Sequence, residues 1–147
     1  VFAINHEILD TLKVHYKGQA IQIDGRVPAS KRKDLVDQFQ TDSKVPLLLG
    51  QIEAAGTGFN MTAADTTLTL QLGWKPGEHD QAEDRCHRIG TPHPVTAYYL
   101  LAERTMDMVI MKLLDQKRKT LLSVLDGKEA VHEDLLENLL ADITKGT

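Results

Sequence analysis

A single cysteine, Cys86, cannot close a disulfide within the chain and suits a reducing compartment. The six histidines show no metal-ligand spacing with it, which predicts no structural zinc. No apolar run approaches the roughly 20 residues that span a bilayer, so no membrane partner is expected. There is no secretory leader at the start: Val1 opens onto a strand-like run instead of a basic region and a long apolar stretch. Such an opening is expected of a chain cut from something larger. A surplus of positive charge is also missing, since the net charge is −4. The deficit is local. From Asp126 onward there are six acidic and two basic residues, a balance of −4, which leaves residues 1–125 formally neutral. A neutral body with Lys/Arg clusters can still meet phosphate, so nucleic acid is not excluded.

What remains is 147 residues with 41% hydrophobic and 26% charged side chains, enough for one well-formed core and too few for two. Val1 to Ile4 reads as a buried strand, with Asn5 as the cap of a helix carrying Ile8, Leu9, Leu12 and Tyr16 at helical spacing. Ala20 to Asp24 is a second strand, ended by Gly25. Ser30 is the predicted cap of a second helix, whose inner face is Leu35, Val36 and Phe39. Lys31, Arg32 and Lys33 fall in its first turn, where cations oppose the helix dipole; this hints at a nearby anion, although a solvated face is the commoner cause. Val45 to Leu49 is a third strand, too apolar to have a wet side. Thr66 to Leu72 alternates with period two and is a fourth; Val95 to Leu101 is a fifth.

Strands alternating with helices predict an α/β fold, a mostly parallel sheet covered on both faces. Ligands of such sheets gather at the carboxyl ends of the strands. The loop Gly56 to Asp65 leaves the third strand by that edge, and its two glycines allow a tight turn or a close approach. Its GxG matches neither the dinucleotide nor the P-loop pattern. The turn Gly73 to Gly77 leaves the fourth strand by the same edge and lifts out the only tryptophan, Trp74. It feeds the run Gln81-Ala82-Glu83-Asp84-Arg85-Cys86-His87-Arg88-Ile89-Gly90. As a helix, this run sets Gln81, Arg85 and Arg88 on one face at i, i+4 and i+7. Two permanently charged forks side by side suit spread negative charge such as a phosphoryl group. An exposed helix pairing its arginines with Glu83 and Asp84 is the bland alternative. From Thr105 onward two amphipathic stripes follow, Met106 to Leu125 and Val131 to Ile143, a C-terminal helical extension to a lobe of residues 1–104. The second, acidic stripe packs on the sheet or meets a protein partner.

In this order the segments resemble the second RecA-like lobe of superfamily 2 helicases, in the Swi/Snf-type branch of DNA translocases. Val1-Phe2-Ala3 with Asn5-His6 resembles motif IV, and Ile23-Asp24-Gly25 with Arg32 and Phe39 resembles the motif between IV and V. Gly56 to Asp65 resembles motif V, Trp74-Lys75-Pro76 the W-x-P element, and Gln81 to Gly90 motif VI. The compact annealing-helicase-like group and its bacterial relatives look most similar.

The resemblance implies that ATP with Mg is sandwiched between this lobe and an N-terminal RecA-like lobe of the same parent chain. Arg85 and Arg88 would be arginine fingers supported by Gln81, with Gly58 and Asn60 near both nucleotide and DNA. Asn5, His6, Gly25, Lys31, Arg32, Lys33, Gly56, Thr57 and Trp74 would face double-stranded DNA. Two positions depart from the family pattern: Ile52 stands where many relatives carry threonine, and Thr91 where glutamine usually follows Ile-Gly. The chain has no G-x-x-x-x-G-K-[ST] and no acidic Walker B tetrad, so it is expected to be inactive as an ATPase alone. A stand-alone nucleic-acid- or protein-binding module without a motor is the alternative. An RNA helicase lobe fits less well, because motif VI there usually reads His-Arg-x-Gly-Arg. The location would be the nucleus in a eukaryote or the nucleoid in a prokaryote; the short connections lean toward the latter.

Overall fold

Phe2 and Ala3 form the central strand of the sheet, and their neighbours explain why so short a run suffices. The computed structural model describes residues 1–55, 58–87 and 93–125. In it, β1 (Phe2–Ala3) lies between β3 (Leu47–Gln51) and β4 (Thr66–Thr69) and pairs parallel with both. β2 (Ala20–Ile23) adds to the far side of β3, and β5 (Thr96–Tyr99) to the far side of β4. The order β2-β3-β1-β4-β5 is parallel throughout. The predicted α/β fold of RecA-like type is therefore present.

Side chains alternate across the strands and build two core layers. Phe2, Ile21, Ile23 and Leu48 point to one face, where they meet Val36 of α2 (Ala29–Thr41), Ile52 of α3 (Ile52–Ala55) and Ala82 of α4 (Pro76–Asp84). Ala3 and Leu49 point to the other, against Leu9 of α1 (His6–His15), with Ile8 and Leu12 packed alongside. Asn5 caps α1 as read from sequence: its Oδ1 accepts from Glu7 N at 3.1 Å. Tyr16 is not part of the inner stripe; it closes α1 at the C-cap and is 39% exposed.

Ser30 does not cap α2. The helix starts one residue before it, with Pro28 at the N-cap and no side-chain cap bond. Proline supplies a φ of −55° instead, pre-set by its ring. β4 is shorter than its alternating run, and its buried positions are Thr67 and Thr69, not leucines. β5 is an edge strand with three of four residues exposed, so burial does not extend it to the predicted Val95–Leu101 length. The chain divides into compact units Val1–Leu101 and Ala102–Thr147. In the second, Thr105 Oγ1 accepts from Asp107 N at 3.2 Å and starts α5 (Met106–Leu125). The acidic stripe 131–143 lies outside the described residues. No described helix is long and apolar enough to cross a membrane.

Candidate functional site

At the carboxyl ends of the strands, glutamine side chains fix the main chain. Gln71 Oε1 accepts from Ile4 N at 3.1 Å and Asn5 N at 2.8 Å, setting the exit of β1. Gln51 spans the neighbouring gap: its Oε1 accepts from Gly25 N at 3.1 Å while its Nε2 donates to Ile4 O at 3.3 Å. Asn5, His6, Gly25 and Trp74 thus share one edge. Asn5 and Gly25 are exposed there, and Trp74 is 56% exposed.

Behind that edge sits a charged cluster. Asp24 is only 2% exposed; its carboxylate accepts from Gln22 Nε2 at 2.8 Å, Arg26 N at 2.9 Å and Arg26 Nη2 at 2.6 Å. The same guanidinium forks onto Asp10 at 2.6 and 3.0 Å. The Arg26 guanidinium holds the Asp24 carboxyl well below the usual carboxylate range against the opposing effect of burial, and draws Asp10 down to about 2. His6 Nδ1 lies 3.7 Å from Asp24 Oδ2. Arg32 donates from Nε to Val27 O at 2.9 Å and from Nη2 to Asp24 O at 3.3 Å, so its side chain clamps the turn before α2. Lys31 and Lys33 are exposed. The predicted basic cluster is thus split between one clamp and two solvated lysines.

The arginine run differs from its predicted course. β4 and β5 are parallel, so α4 must leave the carboxyl edge and run back toward the amino edge. Nine residues at about 1.5 Å each carry the chain roughly 13 Å in that direction. Only the first turn of α4 is at the carboxyl edge; Arg85 is at the opposite end. It is the C-cap, with helical φ −70° and ψ −28°, so Gln81 and Arg85 keep their i, i+4 relation. Arg88 lies outside the described residues. Around the axis, His79, Ala82 and Cys86 are buried, while Gln81 is exposed and Arg85 half-buried, on the other side.

A main-chain bond joins this end of α4 to the glycine loop: Met61 N donates to Arg85 O at 2.7 Å. Gly58 has φ +82°, where a β-carbon is disfavoured, yet one would meet nothing within 4 Å. Its glycine therefore serves backbone conformation, not space. Phe59 packs on the core, and exposed Asn60 follows. Gly56 and Thr57 lie outside the described residues.

Residues 1–90 match the family described as Helicase conserved C-terminal domain. The chain belongs to that family. Among its relatives, the DNA annealing helicase and endonuclease ZRANB3 of Mus musculus is 40% identical over 116 residues, 79% of this chain and 11% of that protein. The SWI/SNF-related matrix-associated actin-dependent regulator of chromatin subfamily A-like protein 1 homolog of Caenorhabditis elegans is 38% identical over 120 residues, 80% of this chain and 17% of that one. ATP-dependent helicase fft2 of Schizosaccharomyces pombe is 32% identical over 146 residues, 97% of this chain and 11% of that one. The C-terminal part of the Fun30 ATPase domain superposes with a TM-score of 0.71 at 24% identity, over 77% of this chain and 38% of that one, a likeness of fold. The helicase C-terminal domain described here thus spans between 11% and 17% of the length of these curated relatives. They are eukaryotic proteins of Swi/Snf type, and the prokaryotic leaning has no support among them.

Within this helicase C-terminal domain, Ile52 is 3% exposed and belongs to the core layer, so its departure from threonine exchanges a hydroxyl for packing. Thr91 lies outside the described residues. Sequence reasoning missed Gln40, whose amide donates to Thr62 Oγ1 at 3.2 Å and accepts from Ala63 N at 2.7 Å, pinning the glycine loop to α2. It also missed Gln51, Gln71, Asp10 and Arg26. Gln40, Gln51, Gln71 and Asp10 carry no local signal, because their partners lie 12 to 67 residues away, whereas Arg26 also pairs with Asp24 two residues before it. Two cavities open beside these elements. One of about 700 Å³ lies at the amino ends of β3 and β4 and is bordered by Met61 and Cys86. The other, about 790 Å³, lies beside Asp10, Arg26 and Lys31. Among the described residues no group of three or more His, Cys, Asp or Glu could hold a metal.

Proposed function

We propose that this chain is the second motor lobe of an ATP-dependent double-stranded DNA translocase, supplying arginine fingers and DNA-backbone contacts and inactive as an ATPase alone. The observation that carries the reading is the separation of two surfaces by one connected unit. Exposed Gln81 and half-buried Arg85 lie on the side of α4 away from His79 and Cys86; Asn5, His6, Gly25 and Trp74 occupy the carboxyl edge; and the Met61–Arg85 bond links the glycine loop to the helix. Gln81 and Arg85 offer only amide and guanidinium groups, a set that fits phosphate oxygens and gives Mg no carboxylate. ATP brings the phosphoryl group that is transferred to water; the lysine and acids that hold it and Mg would belong to an N-terminal lobe of the parent. The task of Arg85 and Arg88 is to hold fixed positive charge where negative charge grows. Gly58 and Asn60 would pass strain between that charge and the DNA. Asn5, His6, Gly25, Lys31, Lys33, Gly56, Thr57 and Trp74 would grip phosphates without reading sequence, with Arg32 holding the turn that presents them. The eukaryotic relatives support a nuclear location.

The test is alanine substitution at Arg85 and at Arg88 in the parent two-lobed protein. DNA-stimulated hydrolysis should fall about 10³-fold or more while ATP and DNA still bind. Wild-type turnover in either variant removes that arginine from the role. DNA-stimulated hydrolysis by the chain alone, free of contaminating enzymes, would contradict the half-site reading.

A further inference from the structure

Arg85 leaves the C-terminal end of α4, so the roll of that helix sets where its side chain starts, and the inner side of the helix carries three anchors. Ala82 and Cys86 sit in the core, and apolar packing alone tolerates small rotations. His79, 2% exposed, takes a directional bond, since its Nε2 accepts from Gly73 N at 3.0 Å and so ties the first turn of α4 to the exit of β4. The third anchor is polar and lies two residues before the arginine. Tyr99, the last residue of β5, donates from its hydroxyl to Glu83 Oε1, and its ring meets His79 edge-on with centroids 6.2 Å apart. Glu83 precedes Arg85 by two residues, so the two half-buried side chains leave the helix roughly 200° apart around its axis. The hydroxyl of Tyr99 therefore fixes the helix in rotation from the sheet side.

We propose that Tyr99, acting through Glu83, is a positioning residue for Arg85; the proposal rests on the motor-lobe reading. With side chains about 6 Å from the axis, a roll of about 10° moves the guanidinium by about 1 Å. A misplacement of that size in a catalytic group can cost on the order of 10²-fold in rate, so partial loosening is expected to cost about tenfold. Neither Tyr99 nor Glu83 touches nucleotide in this scheme.

The experiment uses the parent two-lobed protein with ATP and duplex DNA. Tyr99→Phe keeps the ring against His79 and removes the donor; kcat should drop about tenfold, with KM for ATP and DNA affinity within about twofold of wild type. Glu83→Ala should match it, and the double variant Tyr99→Phe/Glu83→Ala should be no worse than either alone. Glu83→Gln, whose amide oxygen still accepts from the hydroxyl, should restore most of kcat. Val36→Ala in the core, remote from α4, serves as the stability control. Unchanged kcat in Tyr99→Phe, alongside a dead Arg85→Ala, overturns the positioning role and leaves the motor reading standing. An active Arg85→Ala overturns the motor reading itself. A loss in Val36→Ala as large as in Tyr99→Phe makes the effect one of stability and also overturns the positioning role.

Discussion

Replacing Asp24 with asparagine keeps the shape of a buried side chain and removes its charge, leaving the Arg26 guanidinium facing an amide. Asp24 is 2% exposed and accepts from three directions, so little water replaces what is lost. Breaking a fully buried ion pair costs about 3–5 kcal/mol. Arg26 is 54% exposed and keeps Asp10, so the cost at Asp24 should be nearer 2 kcal/mol after that discount. For a chain of this length that is a fall in Tm of about 6–8 °C. The pH dependence gives a second, independent reading. The Asp24 carboxyl is held below its unfolded value of about 3.9, so the unfolded chain binds more protons in acid. Its contribution is complete above that value and disappears as pH falls through the folded one. The gap between wild type and Asp24→Asn should therefore be constant from about pH 5 to 7 and shrink steadily below about pH 4. Urea unfolding at a series of pH values measures it. A gap below about 0.5 kcal/mol at pH 7, or one that widens in acid, would refute the account of this cluster.

Three other outcomes follow from features nearby. The Cys86 thiol is buried and pushed up to about 11, so alkylation at pH 7 should be slow in the native chain and fast in urea; equal rates would mean the α4 end is open. Gly58→Ala should cost about 1–2 kcal/mol through its φ of +82° alone, since no clash awaits the methyl, and urea unfolding against the milder Gly58→Asn checks it. Gln40→Ala removes a side-chain acceptor from Ala63 N, and hydrogen exchange at that amide should accelerate while α2 stays protected; an unchanged rate would show that the loop is held without it.

The fold was legible because its determinants are local or periodic. Asn5 caps a helix wherever a donor two residues on can reach it, and Leu35, Val36 and Phe39 face inward by spacing alone. Ser30 misled because a proline two positions earlier supplied the same start by fixing φ. Thr67 and Thr69 were missed as core positions because hydropathy ranks leucine above threonine, whereas their placement follows from the sheet order. Of the site, residue types and motif order were readable, but direction was not. That α4 doubles back, carrying Arg85 away from Trp74, depends on β5 being parallel to β4, a pairing between segments some 30 residues apart. The glutamines that hold the edge are silent for the same reason: each acts across the fold through a generic amide.

The bond from Met61 N to Arg85 O has a practical corollary. It is made by peptide groups, so every amino acid placed at position 85 brings an identical acceptor, and trimming the guanidinium cannot unfasten the splice between loop and helix. An alanine there leaves this peptide join in place, while the half-buried side chain takes its own packing and contacts away with it. Nature, by the same token, was at liberty to vary the side chain without disturbing the join.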